Sequence, residues 1–427
     1  MDNWPTVQLG DVTDLLTGFP FKSERYTEDF SDPQLLRGDN VAQGVLRWEN
    51  AKRWPSNATN EVTQYWLMED DVILAMDRPW IEAGLKYAAI RKSDLPALLV
   101  QRVTRLRGSA TLNTSYLKYV IGSRAFTEYV LAIQTGTAVP HISGGQIKRF
   151  QFRLPPIETQ LDIAQILGAL DDKIELNRRI NETLEAMARA LFKDWFVDFG
   201  PTRAKQEGME PYLTPELWSL FPERLDVKGT PEGWDFATVG QLFTLTMGQS
   251  PPGSTYNDAG NGLPFFQGRT DFGFRYPERR IFCSAPARIA EAEDTLVSVR
   301  APVGDINLAW EKCCIGRGVA ALRHPKGYRS FTYHTAWALQ LQLQQYEHTG
   351  TVFGAINKKQ FESLSICSPS QELLASFEDV VSPLDDRVKG NIIESRTLAQ
   401  VRDLLLPKLM SGEIRVKDAE KTLESHL

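Results

Sequence analysis

Hydrophobic residues recur at alternating spacings of four and three over two long stretches of the chain. In the first stretch these positions are Ile163, Leu167, Leu170, Ile174, Asn177, Asn181, Leu184, Ala188, Leu191 and Trp195. In the second they are Phe377, Val381, Leu384, Val388, Asn391, Ser395, Leu398, Arg402, Leu405 and Leu409. The spacing is typical of a coiled-coil seam. Two equal seams in one chain predict two long helices that pack on each other antiparallel, with Asn177 and Asn391 fixing the register.

Both helical stretches also contain residues that commonly interrupt helices. The first predicts a short helix over about 158–167, a break at Gly168 and a long helix to about Phe196. In the second, Ser382-Pro383 reads as an N-cap followed by a proline in the first turn. The carboxylate pairs 171–172 and 385–386 would then lie in a first helical turn, where the macrodipole favours negative charge. We prefer that interpretation to a metal or acid–base site.

The rest of the chain follows a strand pattern. Short β-branched runs such as VILAM, LVQRVTRL, TLVSV and CCIGRGVAAL are bounded by turn residues within residues 1–155 and 231–369. A helical segment follows in each block, over 114–133 and 330–346. We name the two blocks the first head and the second head. The predicted fold class is α+β, an internally duplicated chain with two mainly-β heads separated and joined by two long antiparallel helices.

The chain contains an internal repeat. At an offset of 214, GTAVPHISGGQIKRFQFRLPPIETQ (136–160) aligns with GTVFGAINKKQFESLSICSPSQELL (350–374), and the register holds without a gap for about 70 residues. The starts of the heads match at an offset of 230, and DVILAMDRP (71–79) aligns with DTLVSVRAP (294–302). The repeat predicts a first head (1–155), a central helical spacer (156–200), a connector (201–230), a second head (231–369) and a distal helical spacer (370–427).

Composition narrows the class of protein. The net charge is −6, but the acidic excess lies outside the two heads, which are nearly neutral. A DNA-binding face on the heads is therefore permitted, although the charge does not require it. The N-terminal sequence lacks the features of a signal peptide, and no apolar run is long enough to span a membrane, so we expect a cytoplasmic protein. Four cysteines without a C-x-x-C spacing and five scattered histidines predict neither disulfides nor a metal site.

Catalytic motifs are absent from the sequence. An adenine methyltransferase would need an N/D-P-P-Y/F loop and a glycine-rich cofactor turn, and the chain has only LPPIE and SPPGS. There is also no G-x-x-x-x-G-K-[ST] loop for ATP and no G-x-S-x-G nucleophile motif. These absences predict a protein without catalytic machinery of its own.

With these features in place, the chain resembles the specificity subunits of type I restriction–modification systems over essentially its whole length. The most specific parts are residues 136–196, the second copy ending in LLPKLMSGEI, the opening W-x-x-V-x-L-G-D from Trp4 to Asp11, and DTLVSVRAPVGDI (294–306). The first head departs from the last of these motifs and reads DVILAMDRPWIEA. A role assigned to Arg300 therefore does not transfer directly to Arg78.

The resemblance implies that each head is a target-recognition domain that reads one half of an asymmetric, interrupted site on double-stranded DNA. It implies that the helices dock two methyltransferase subunits, and that restriction (translocase–nuclease) subunits join for cleavage. S-adenosylmethionine, ATP and magnesium would belong to those partners, with no cofactor in this chain. A helix of roughly 25 residues is about 38 Å long, close to the ~34–36 Å of one DNA turn, so the helices are also expected to act as a spacer.

Candidate DNA contacts are the basic and aromatic residues of the heads. They are Arg78, Trp80, Lys86, Arg91 and Lys92 in the first head, and Arg269, Arg279, Arg280, Arg300, Arg317, Lys358 and Lys359 in the second. Two other functions stay open at this point. One is a scaffold or adaptor that binds protein through its heads, and the other is an enzyme fragment with a hidden nuclease activity.

Overall fold

The computed structural model describes residues 4–136, 139–348 and 354–419. The chain divides into two compact units. Unit 1 combines residues up to Leu176 with those from Ile393 onward, and unit 2 is Asn177–Ile392. The repeat pairs that involve Thr137, Gly350 or Thr351 lie outside the described residues.

Unit 1 contains the first head and a half of each long helix. Its elements are β1 (Thr6–Gln8), α1 (Leu9–Val12), β2 (Thr13–Thr17), β3 (Gln34–Leu36), β4 (Val72–Ala75), β5 (Trp80–Ile81), β6 (Gly84–Leu85), β7 (Tyr87–Ala89), β8 (Ala97–Leu99), β9 (Val103–Gly108), α2 (Thr114–Ile121), α3 (Arg124–Ile133), α4 (Gly144–Lys148), β10 (Gln151–Arg153) and the start of α5 (Ile157–Phe196). The central sheet has the strand order β2-β9-β4-β7. Two separate two-stranded sheets are formed by β1 with β10 and by β3 with β8, of which the second is parallel.

Unit 2 begins with the rest of α5. The elements that follow are α6 (Gly200–Gln206), α7 (Pro215–Ser219), β11 (Asp235–Thr238), α8 (Val239–Leu242), β12 (Thr244–Met247), β13 (Tyr256–Asn257), β14 (Leu263–Phe266), β15 (Phe282–Cys283), β16 (Ile289–Ala290), β17 (Thr295–Ser298), β18 (Ile306–Leu308), β19 (Cys313–Ile315), β20 (Val319–Arg323), α9 (Arg329–Ala338), α10 (Gln340–Gln344), α11 (Lys358–Glu362), β21 (Ser365–Ser368) and α12 (Gln371–Ser411). The sheet β12-β20-β17-β18 repeats the central sheet of the first head, and β11-β21 repeats β1-β10. A five-stranded sheet, β13-β15-β14-β19-β16, has no counterpart of that size among the described residues of the first head.

The repeat is visible in equivalent backbone contacts of the two units. Leu9 N donates to the Phe150 carbonyl at 2.8 Å, and Val239 N donates to the Leu364 carbonyl at 2.9 Å. A further pair of equivalent positions is occupied by glycine, because a Cβ on Gly18 would lie 2.2 Å from a backbone carbonyl oxygen and one on Gly248 would lie 2.1 Å from another. The two heads are therefore built on one framework, as the sequence repeat predicts.

Both long helices continue through the residues at which breaks were predicted, and those predictions are wrong. Gly168 lies inside α5 without a left-handed φ. Pro383 lies inside α12 on its exposed face, while its neighbours Val381 and Leu384 pack into the apolar core of unit 2. Burial of the seam on both sides holds the helix together, so tertiary packing overrides local propensity at both sites.

The helical segments of the heads also differ from expectation. Residues 114–133 form two helices, because Ser123 caps a new helix by accepting a hydrogen bond from Phe126 N. Residues 329–344 likewise form α9 and α10. In the connector, Phe221 is buried and contacts Trp195, with 5.3 Å between ring centroids. Among the described residues, no helix combines the length and apolar character needed to cross a membrane.

Candidate nucleic-acid interface

A buried aspartate anchors the strand at the centre of each head. Asp71 accepts hydrogen bonds from Met68 N at 2.8 Å and from the Arg107 guanidinium at 2.8 Å just before β4. Asp294 does the same before β17, accepting from Glu291 N at 2.8 Å and from Arg323 at 2.6 and 2.8 Å. Carboxylates that are buried with a bidentate arginine fix the geometry around them. The loops that leave β4 and β17 therefore start from equivalent positions.

Those two loops are held by matching backbone hydrogen bonds. In the first head, Ile142 N donates to the Met76 carbonyl at 3.0 Å and Arg78 N donates to the Pro140 carbonyl at 2.7 Å. In the second head, the corresponding bonds are Ile356 N to Val299 O at 3.1 Å and Ala301 N to Gly354 O at 3.0 Å. This register makes Asp77 the structural equivalent of Arg300.

The two equivalent residues have opposite charge and different surroundings. The Asp77 carboxylate lies 2.6 Å from His141 Nδ1 and 3.8 Å from Arg102 Nε. Arg300 is exposed, and its guanidinium has no hydrogen-bond or ion-pair partner within the described ranges. Arg78 is also exposed, and its backbone is left-handed with φ +45°. A non-glycine residue in that region costs on the order of 1–2 kcal/mol, so the surrounding structure must hold it there.

The first head carries a hairpin that the second head lacks. Val72 pairs with Ala89 in the first head, and Thr295 pairs with Leu308 in the second, so the segment after the loop is four residues longer in the first head. The additional residues form the hairpin β5–β6, in which Trp80 pairs with Leu85. Trp80 is 37% exposed and Ile81 is 40% exposed. The hairpin therefore presents apolar side chains to solvent.

The other basic candidates of the first head are placed differently from one another. Lys86 is half-buried, and its Nζ donates to the Gly38 carbonyl. Burial lowers the pKa of Lys86, and the nearby Arg78 contributes in the same direction. Arg91 forms an ion pair with Glu175 at 2.8 Å. Lys92 is exposed.

In the second head, several candidates are ion-paired on the surface. The surface pairs are Arg269 with Asp305 at 2.7 Å, Arg279 with Glu311 at 2.6 Å and Lys358 with Glu362 at 3.5 Å. Arg280 is paired with the buried Asp271 at 2.9 Å. Arg317 and Lys359 are exposed, and their side chains have no polar partner in the part of the chain that is described. Exposed pairs of this kind are weak and exchange readily with solvent or a phosphate.

The predicted seam residues lie on the faces along which the helices pack. Those that are buried are Leu170, Asn177, Val388, Asn391, Leu398 and Leu405, and those that are half-buried are Ile174, Leu184, Leu191 and Leu384. Within unit 2, Asn391 Nδ2 donates to Asn181 Oδ1 at 2.8 Å, and Asn177 Nδ2 lies 3.5 Å from the Asn391 carbonyl oxygen. The buried amides thus bond across the two helices.

Comparison with known proteins finds similarity to type I specificity subunits. Residues 1–186 match the family model of the type I restriction modification DNA specificity domain. The chain is 32% identical over 281 residues to a protein of Methanocaldococcus jannaschii named as the specificity subunit of the type I restriction enzyme MjaX, with 65% of this chain and 62% of that protein aligned. It is 28% identical over 367 residues to the HindI specificity subunit of Haemophilus influenzae, with 70% of this chain and 77% of that protein aligned. These matches make the chain similar to type I specificity subunits.

A solved structure shares the fold of this chain. The S subunit of a type I restriction–modification system from M. genitalium matches with a TM-score of 0.57 at 16% sequence identity, over 95% of this chain and 96% of that chain. The aligned part spans 62% of the M. jannaschii relative, which is less than two thirds of its length. The M. jannaschii and H. influenzae relatives are both named as specificity subunits.

The carboxylate pairs 171–172 and 385–386 do not lie in first helical turns, which corrects the dipole interpretation. Because α5 and α12 are continuous, Asp171 and Asp385 lie well inside them and serve as ion-pair partners. Asp171 binds Arg402 at 2.9 Å and also Lys118, and Asp385 binds Arg275 at 2.6 Å. The two residues therefore attach side chains of the heads or of the facing helix to the long helices.

Arg275 is a functional residue of the fold that no sequence pattern singles out. It is 1% exposed, binds both Glu185 and Asp385, and lies 3.9 Å from the centroid of the Tyr333 ring. Its partners are 90 and 110 residues away in the sequence. No local pattern marks such a contact, although a repeat of Asp171 at Asp385 could have prompted a search for its cation.

Proposed function

We propose that this chain is the DNA-sequence-recognition subunit of a type I restriction–modification complex. Each head reads one half of a bipartite, asymmetric site on double-stranded DNA, and the chain docks two methyltransferase subunits and, for cleavage, restriction subunits. S-adenosylmethionine, ATP and magnesium belong to those partner subunits, and the protein works in the cytoplasm. Its own contribution is recognition and assembly.

The observation that carries this proposal is the pair of equivalent heads with different surface chemistry. The buried framework repeats, down to the ion pairs Asp71–Arg107 and Asp294–Arg323. The exposed loop next to it differs, with Arg78 and the Trp80 hairpin in one head and Arg300 in the other. A repeated scaffold with two different reading surfaces is what an asymmetric bipartite site requires.

Docking of a methyltransferase subunit has support in an apolar groove of unit 2. The groove has a volume of about 300 Å³ and is lined by Phe192, Val197, His334, Trp337 and Leu341 among others. Leu341 is 77% exposed. Burial lowers the pKa of His334 well below its ordinary value, so the imidazole in this groove is neutral at physiological pH. The groove is also lined by the cations Arg189 and Lys193, which are ion-paired with Glu185 and Asp198. A largely apolar surface whose charges are already paired suits a protein partner better than a phosphate backbone.

Reconstitution with the methyltransferase subunit tests both parts of the proposal. The complex is expected to co-purify and to methylate adenines within one interrupted motif, whereas the purified chain alone neither methylates nor cleaves DNA. Exchange of the first head (1–155) for that of a relative should change one half of the motif, and the matched exchange of the second head (231–369) should change the other. Base-resolution mapping of methylated adenines reads the result. Catalysis by the isolated chain, or a change in both half-sites after one exchange, would contradict the assignment.

A further inference from the structure

The loop after the central strand differs between the two heads although it stands on a shared framework. Its backbone is held by the same two hydrogen bonds in each head, to the carbonyls of Pro140 and Met76 or of Gly354 and Val299. The side chains that it presents are unrelated. A rigid base that carries variable side chains is a suitable arrangement for a surface that reads different sequences.

In the second head the cation that the described loop presents to solvent is Arg300. Val303, which follows the loop, is 2% exposed and packs into the core. The Asp305 carboxylate is ion-paired with Arg269. Arg300 remains as an exposed guanidinium without a polar partner in the described ranges. Such a group is available for a ligand with two adjacent acceptors, as guanine O6 and N7 provide in the major groove.

In the first head the same position cannot act in that way. Asp77 is engaged by His141 and lies near Arg102. The cation of this loop stands one residue later, at Arg78. Its left-handed backbone is held by the hydrogen bond from Arg78 N to the Pro140 carbonyl.

The next residues of the first head continue into the exposed hairpin. Trp80 and Ile81 lie on its first strand, between the cations Arg78 and Lys86. A two-stranded β ribbon fits the major groove, and apolar side chains contact the thymine methyl group there.

We propose that this loop is the base-reading element of both heads and that the heads use it with different chemistry. Arg300 donates two hydrogen bonds to a guanine of the second half-site. The Trp80 hairpin enters the major groove of the first half-site and contacts a thymine methyl group, while Arg78 contacts the adjacent phosphate. This inference rests on the proposed recognition function and names the residues that carry it out.

The second-head part is tested with Arg300→Ala in the reconstituted methyltransferase complex. Methylation rates are measured on a library of duplexes in which each base pair of the motif is varied. Loss of a bidentate contact, worth about 1–3 kcal/mol, corresponds to roughly 5- to 150-fold loss of discrimination at one G·C pair of the second half-site. Arg300→Lys should restore little of it, because ammonium lacks the planar pair of donors.

Arg317→Ala is the matched control, since Arg317 is another exposed and unpaired arginine of the same head. It should slow methylation of all sequences alike, as loss of a phosphate contact does. Unchanged discrimination at every position in Arg300→Ala overturns the second-head part. If the wild-type complex itself shows no interrupted motif, the proposed function fails, and that outcome is separate.

The first-head part is tested with Trp80→Ala, compared with Phe30→Ala. Phe30 is 85% exposed in the same head and outside the loop, so its replacement should leave the motif unchanged. Trp80→Ala should relax the preference for one T·A pair of the first half-site by about tenfold and leave the second half-site intact. A uniform loss at all positions, or an unchanged motif, would overturn this part. Thermal unfolding of each variant confirms that the fold is retained.

Discussion

Asp171 and Asp385 occupy the same position of the repeat, yet the charges around them are arranged in opposite ways. In unit 1, a single carboxylate lies between two cations, Lys118 and Arg402, and accepts a further hydrogen bond from the Tyr119 hydroxyl at 3.0 Å. In unit 2, a single cation lies between two carboxylates, since Arg275 binds both Asp385 and Glu185. The duplication has kept the aspartate at this position and changed the charged residues that surround it.

The pKa directions follow from this difference. Burial tends to raise the pKa of Asp171, but Lys118 and Arg402 outweigh it and hold the pKa below its ordinary value. Burial also acts on Asp385, and there it prevails and raises the pKa, because Arg275 is shared with a second buried carboxylate. The repeat therefore predicts where an ionisable side chain lies, but it does not predict whether the surroundings favour its charged form.

The largest effect is expected from removing the shared cation. Arg275→Met leaves Asp385 buried without its counter-charge and leaves Glu185 with Arg189 alone, which should lower the free energy of unfolding of unit 2 by about 3–5 kcal/mol. Arg402→Met leaves Asp171 with Lys118, and Arg402 is partly exposed, so a loss of about 1 kcal/mol is expected. Urea denaturation with hydrogen exchange of α12 amides measures both. An equal or larger loss in Arg402→Met would refute the contrast between the units.

A smaller effect should appear as a difference in pH dependence. A depressed pKa means that Asp171 stabilises the fold above its unfolded pKa of about 3.9, and that this stability is lost as the pH falls through the folded pKa. Asp171→Asn should therefore cost about 1–3 kcal/mol at pH 7 and approach the wild type below pH 4.

A raised pKa reverses the sign for Asp385. Its stabilising contribution is complete below about pH 3.9 and is lost as the pH rises through the folded pKa. Asp385→Asn should therefore change the free energy of unfolding very little at pH 7, where Arg275 remains paired with Glu185. Unfolding measured from pH 3 to pH 7 tests the pair of variants, and parallel pH profiles would show that the two sites are not different after all.

The smallest effect concerns the helices themselves. Gly168 has no left-handed φ, and a Cβ there would lie 3.9 Å from the Tyr119 hydroxyl, an ordinary contact. Gly390 in α12 has open space around its Cβ position. Replacement of either glycine by alanine should stabilise its unit by about 0.5–1 kcal/mol. Thermal unfolding measures the gain, and a destabilised Gly168→Ala alone would mean that the first head packs more tightly on its helix than the second.

The sequence predicted best those features that depend on periodicity. The four–three spacing located the seam from Ile163 to Trp195, and the repeat predicted that the two heads share a framework. It failed where packing overrides a local signal, as at Gly168 and Pro383. It also missed Arg275, because its two partners are distant in the chain and no motif marks them.

The candidate interface was predicted only in part. The alignment of 71–79 with 294–302 already placed Asp77 opposite Arg300, but composition could not tell which cations are free. Arg91 is paired with Glu175 in the structure, whereas Arg300 is exposed. The hairpin at Trp80 was hidden, since a four-residue insertion between short strands leaves no periodic trace. Contact between these residues and DNA stays a prediction.

The division of the long helices between the units has a consequence for how the chain folds during synthesis. All of unit 2 lies within Asn177–Ile392, so its segments leave the ribosome in one continuous run. The buried cluster of unit 1 joins Leu167 and Leu170 to Leu398, Leu405 and Leu409, which are synthesised more than two hundred residues later. The first head to be made is therefore the last to be completed. Until then its half of α5 presents an unpaired apolar stripe, the kind of surface on which chaperones act.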